Sequence, residues 1–208
     1  MNSTVILKGN ILYTPRPSEF ISIQHGYIIA VDGVVVYCGE SIPPAYTDYE
    51  VTDYGDNLII PGFVDTHAHA PQYCNRGLGM DKELLPWLET YTFPEEAKFS
   101  DLDYARLVYG AFVQDLWRNG TTRSILFSTI HKESTLVLME LLQKAGLSAY
   151  VGKVNMDRNS PDFLIEETNQ SLADTKDWLE ASASFGPLVK PIITPRFVPS
   201  CTSELMSG

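Results

Sequence analysis

Two histidines one residue apart, His67 and His69, close the apolar run "PGFVDTHAH" and open the segment "HAHAPQ". On an extended strand, side chains at i and i+2 point to the same face, roughly 7 Å apart along the chain. Both imidazoles can therefore aim at one point. Neutral imidazole is a ready ligand for zinc and similar ions, and two such ligands at the carboxyl end of a parallel strand form one side of a metal site. The same spacing also suits a pair of hydrogen-bonded pocket histidines, and the spacing alone does not choose between them. Asp65, two residues earlier, is read as a residue that orients these neighbours rather than as a ligand.

The elements that must carry this pair are legible from the hydrophobic period, which changes near residue 60. Before it lie short β-branched runs, "TVILKGNILY", "EFISIQHGYIIAVDG" and "VVVYCG", which predict antiparallel hairpins with a tight turn at Val31 to Gly33. After it, the pattern predicts strands at about 58–67, 122–129, 148–155 and 188–194. Helices are expected at about 101–118, 132–145 and 162–184, with Gly120 and Gly146 placed as C-terminal caps. Strand, helix, strand repeated three times is the pattern of βαβ units on a parallel sheet. The expected class is α/β, with a small β domain over 1–58 and the βα repeat over 59–208. The connection from Ala70 to Ser100 is long and rich in Pro, Gly and aromatic residues, as functional loops after parallel strands often are.

Composition excludes several classes of function. The chain has 208 residues, 44% hydrophobic content and a formal net charge of -11, so it can bury a core but offers no basic face for phosphates. Nucleic acid and anionic membranes are not expected partners. No apolar run approaches the roughly 18 residues of a membrane span, and the N-terminus fits neither a signal nor a transit peptide. Cys38, Cys74 and Cys201 are widely spaced and form no C-x-x-C pair, which points to reduced thiols and a cytoplasmic setting.

The string "PGFVDTHAH" after a small β domain resembles the metal-dependent amidohydrolase superfamily. With "HAHAPQY", "LLPWLETYTFPEEAKFSD", "NGTTRSILFSTIH", "VGKVNMDRN" and "VKPIITPRFVPSCTSELM" in order, the chain resembles its guanine-deaminating branch. The resemblance implies a (β/α)₈ barrel preceded by a β-sandwich domain, and hydrolysis of guanine to xanthine and ammonia. It implies one metal ion held in part by His67 and His69, zinc or alternatively iron, which lowers the pKa of water to about 7. By the same resemblance Arg196 places its donors on the purine carbonyl edge, Gln72 meets a ring nitrogen, Phe197 covers the ring face, and His69, Ala70 and Pro71 line the wall. A homodimer is the implied assembly.

A (β/α)₈ barrel takes about 250 residues, and the repeat after the β domain suffices for four strands. The family's third histidine ligand, its proton-shuttling glutamate and its aspartate ligand would therefore lie beyond Gly208, with no catalytic acid or base among these residues. The sequence reading is a first half of the barrel, inactive alone. The alternatives are an amidohydrolase of another cyclic amidine or amide, and a non-catalytic truncated product. Other residues have a local reading. His131 either borders the pocket or is structural, Trp87, Tyr91 and Phe93 either cover the site or pack locally, and His25 and Cys74 carry no expected role.

Overall fold

The computed structural model describes residues 3–208, which divide into two compact units, one ending at Pro61 and the other running Gly62–Gly208. In the first unit, β1 (Thr4–Arg16), β2 (Glu19–Val31), β3 (Val34–Gly39) and β4 (Val51–Ile59) form one four-stranded layer in the order β3-β2-β1-β4. The β2–β3 hairpin turns on Asp32 and Gly33, both at positive φ (50° and 79°), the two-residue turn whose twist matches its flanking strands. Ile6, Ile11 and Ile29 are the buried apolar side chains of this layer. β4 joins β1 in parallel, the one departure from the antiparallel pattern.

The second unit carries the βα repeat. β5 (Phe63–His69), β6 (Thr121–Phe127), β7 (Ser148–Gly152) and β9 (Val189–Pro191) are neighbours in that order, and every pairing is parallel. β8 (Val154–Asn155) and β10 (Thr194–Pro195) follow β7 and β9 and pair with each other, so the sheet is prolonged at its carboxyl end. The helices α1 (Leu102–Arg118), α2 (Lys132–Ala145) and α3 (Thr168–Ser182) supply the crossovers. Leu126, Ala149, Val151 and Val189 of the strands meet Val108, Phe112, Leu138, Leu142 and Trp178 of the helices in one buried cluster. Alternate strand positions, among them Val64, Ile125 and Tyr150, point away from the helices, and Val64 is exposed.

Local chemistry sets the boundaries. The Asp101 carboxylate accepts from the backbone N–H groups of Asp103 and Tyr104 and starts α1, while Gly146 at φ 70° ends α2. Two sequence boundaries are corrected. The expected strand 58–67 is two strands, because Leu58 and Ile59 end β4 and Pro61, which lacks an N–H, separates them from β5. The expected helix 162–184 starts only at Thr168. Residues before it are diverted by Glu166, whose carboxylate binds the buried Lys153 ammonium at 2.6 Å and the Met156 N–H at 2.9 Å, and Glu167 then caps α3.

Gly152 ends β7 where the chain must pass closest to β10. A Cβ there would lie 2.1 Å from Thr194 Oγ1 and 2.3 Å from its Cγ2. Thr194 is buried and its hydroxyl bonds the Lys153 carbonyl at 2.9 Å, so it has no open rotamer to retreat into. Gly152→Ala should therefore destabilise the second unit by about 2 kcal/mol, as overpacking does. Urea unfolding checks this; a loss below about 0.5 kcal/mol, the range of neutral surface changes, would refute the close-approach account.

Candidate active site

His67 and His69 lie at the carboxyl end of β5, on the sheet face turned away from the helices, with ring centroids 5.2 Å apart and edge to face. His69 also stacks on Phe127 at 4.6 Å, so the end of β6 supports it. The Asp65 carboxylate accepts from the His67 backbone N–H at 3.0 Å, a local brace consistent with its expected role. Burial, the Arg196 guanidinium and His67 push the His69 pKa down from its ordinary 6.5 to about 3, in that order of weight. His69 is thus neutral at physiological pH, and its Nδ1 is buried with no partner. An orphaned buried nitrogen beside a second imidazole fits a divalent metal as a two-donor contribution. Among the described residues no cluster of three or more His, Cys, Asp or Glu side chains converges on one point.

The chain leaves β5 in a tight helical turn, Ala70–Asn75, in which Ala70 and Pro71 are buried and Gln72 is half-buried. Successive short helical segments then run to Ser100, including a π-helical turn at Leu88–Thr92. This loop is a packed body. Leu88 and Phe93 join Val154, Met156 and Leu164 in a second buried cluster, with Trp87 and Phe127 against it. Trp87 Nε1 donates to the Leu78 carbonyl at 3.0 Å. Gly79, at φ 67°, fits against the rings of Tyr91 and Trp87. A cavity of about 640 Å³ flanks the outer side of β5 and touches His69, Gln72 and Trp87, but neither His67 nor Arg196.

Arg196 follows β10 directly. Its backbone N–H donates to the Asn155 carbonyl at 3.2 Å, and Asn155 is itself anchored by 2.8 Å bonds from its amide to Ser171 and Thr175 of α3. The guanidinium is almost fully buried, 5.2 Å above the Phe93 ring, and Nη1 donates to Glu96. Glu96 is buried too, and its other carboxylate oxygen accepts from Gln72 Nε2 at 3.4 Å. Burial raises the Glu96 pKa, opposed by Arg196 and Gln72. A buried guanidinium cannot lose its proton, so Glu96 is its counter-charge. Phe197 comes next, extended and half-buried. Beyond it Asp157 accepts from the Thr202 N–H at 2.7 Å, from the Thr202 hydroxyl and from Thr168 at 2.9 Å; burial works against it, but these bonds hold its carboxyl below the ordinary range.

The residues singled out in the sequence are therefore gathered at the carboxyl ends of the parallel strands, with Arg196 close enough to His69 to act on its charge. His131 sits at the start of α2, where its backbone N–H donates to Thr129 Oγ1 and its carbonyl accepts from Thr135; its Nε2 is buried without a partner. Burial and Lys153 lower its pKa. Cys74 is exposed, 3.9 Å from the Tyr104 hydroxyl, and His25 lies in the first unit. Glu96 and the Lys153–Glu166 pair were not anticipated, and Phe93, read as covering the site or packing locally, packs in the buried cluster and lies under the Arg196 guanidinium. Adjacent acids in "FPEEAKF" look like a solvated helical face, and only the aromatic residue before them hints at burial.

A depressed histidine pKa has a defined sign in stability. The unfolded chain binds a proton near pH 6.5 that folded His69 refuses until about pH 3, so acidification through this window favours unfolding. In chelator-treated protein, His69→Gln should lose less stability than the parent between about pH 7 and about pH 5. Urea midpoints at the two pH values measure it, and parallel losses in both proteins would contradict the burial argument.

No helix among the described residues is long and apolar enough to cross a membrane. Residues 58–208 match the model of the amidohydrolase family. Guanine deaminase of Dictyostelium discoideum is 54% identical over 157 residues, 75% of this chain and 35% of that protein. The probable guanine deaminase of Schizosaccharomyces pombe is 37% identical over 218 residues, 98% of this chain and 41% of that one. The crystal structure of guanine deaminase from C. acetobutylicum with guanine bound in its active site superposes with a TM-score of 0.94 at 50% identity, covering 98% of this chain and 49% of that one. The chain thus spans half or less of the length of these relatives. The parallel sheet, the paired histidines at the end of its first strand and the extent of the family match agree: the chain belongs to the amidohydrolase family.

Proposed function

We propose that these residues serve a guanine deaminase, which adds water across the ring carbon bearing the exocyclic amine of guanine and releases xanthine and ammonia. What carries the reading is the convergence of a two-imidazole corner and a buried Arg196–Gln72 wall at one end of a parallel sheet. The names of the curated relatives support it. His67 and His69 would hold a divalent metal, zinc or alternatively iron, which supplies Lewis acidity and lowers the pKa of water. The neutral state of His69 keeps its nitrogen free for this without competition from a proton.

The amine-bearing carbon of a purine is a poor electrophile, so the base has to be held in place while it is attacked. Arg196 presents donors to the purine carbonyl, and its planar fork suits a flat acceptor edge. Gln72 meets a ring nitrogen. Phe197 covers a ring face, and the buried turn at Ala70 and Pro71 fixes the position of Gln72 next to His69. The cytoplasmic setting rests on the widely spaced cysteines without a C-x-x-C pair, and the homodimer on the family resemblance.

The test is ammonia release from guanine by the full-length protein, compared with its Arg196→Ala variant. The parent should be active, and the variant should lose more than about 1 kcal/mol of transition-state binding in kcat/KM, on the order of one charged hydrogen bond. A parent protein that leaves guanine untouched but hydrolyses another cyclic amidine would move the reading to that substrate. An unchanged kcat/KM in the variant would remove Arg196 from the site.

A further inference from the structure

Glu96 touches Gln72 and Arg196, the two residues that hydrogen-bond the base in the reading above, and an ionised carboxylate can only accept hydrogen bonds. That restriction fixes the polarity of its two partners. Were the Gln72 amide turned around, its oxygen would face the Glu96 carboxylate at about the same 3.4 Å, two acceptors with no proton between them. The amide nitrogen therefore points to Glu96 and the amide oxygen points away from it. Arg196 commits Nη1 to the same carboxylate, and its remaining side-chain N–H groups have no partner among the described residues. The wall thus offers donors from Arg196 beside one acceptor from Gln72.

We infer that Glu96 is a positioning residue for specificity: by holding Arg196 and orienting the Gln72 amide, it makes the site read a lactam edge, a carbonyl oxygen next to a ring N–H. The inference rests on the guanine reading and sharpens it. Guanine carries such an edge, with the carbonyl meeting Arg196 donors and the ring N–H meeting the Gln72 oxygen. An amidine edge, an amino group beside an unprotonated ring nitrogen, places donor against donor and lone pair against lone pair. Selection arises because each buried group of the wall is left unpaired by the wrong edge. Glu96 itself needs no contact with the base. Its burial excludes water from the pair and fixes the geometry before a ligand arrives.

Glu96→Gln tests this, because a glutamine there can donate as well as accept and so permits the Gln72 amide to turn over. Calorimetric Kd values for hypoxanthine, a lactam, and adenine, an amidine, are measured on the full-length parent and variant, with thermal melting as a check on folding. The parent should prefer hypoxanthine, and the variant should lose about tenfold or more of that preference. Equal weakening of both ligands, with the preference intact, would overturn the inference. If the variant does not fold, Glu96→Asp retains an acceptor-only carboxylate. It should bind hypoxanthine more weakly yet keep the preference within about threefold, and a collapsed preference there would contradict the role. Failure of the guanine reading looks different, since a parent without ammonia release on guanine could still show the lactam preference and its dependence on Glu96.

Discussion

The buried ion pair between Arg196 and Glu96 is the constraint on which the candidate site depends. It joins residues 100 positions apart, tying the long segment after β5 to the end of β10. Such a pair gains little over an apolar substitute, but breaking it by removing one partner leaves an uncompensated buried charge, at a cost on the order of 3–5 kcal/mol. The pair therefore acts as a selective latch: only the arrangement that satisfies both charges is stable. Phe93 beneath the guanidinium and Gln72 on the second carboxylate oxygen complete the same unit.

What presents this unit is a scaffold of parallel strands prolonged by two short ones. β8 and β10 pair beyond β7 and β9, so the Asn155 carbonyl can hold the Arg196 backbone while its amide is fixed by α3. Close passage at Gly152 and Thr194 permits that pairing, and the Lys153–Glu166 pair holds the neighbouring loop. The sheet brings the imidazoles from its first strand and the guanidinium from its fourth to one end because all four strands run the same way.

Much of this was legible in the sequence, where local signals were strong. The Gly146 cap, the Asp101 start and the apolar strand-like runs at 121–127 and 148–152 placed elements nearly as they stand, since capping and period depend on neighbours in sequence. The spacing of His67 and His69 gave their shared face. Errors fell where a distant partner decides the outcome. Leu58 and Ile59 look like the start of β5, but pairing with β1 claims them for β4. The residues before Thr168 have a helical pattern that the bonds of Glu166 override. Glu96 lay within a segment quoted for its family resemblance, yet its role depends on a guanidinium a hundred residues away. A propensity or a charge pattern carries no information about such a partner.

The most direct test of the account is a crystal structure of the full-length protein with hypoxanthine bound, which supplies the lactam edge without the reacting amine. The account predicts the carbonyl oxygen on free N–H groups of Arg196, the ring N–H on the Gln72 amide oxygen, and Glu96 still bridging the two residues. A complex with the carbonyl turned away from Arg196, or with Glu96 released from Arg196 to bind the base itself, would contradict it.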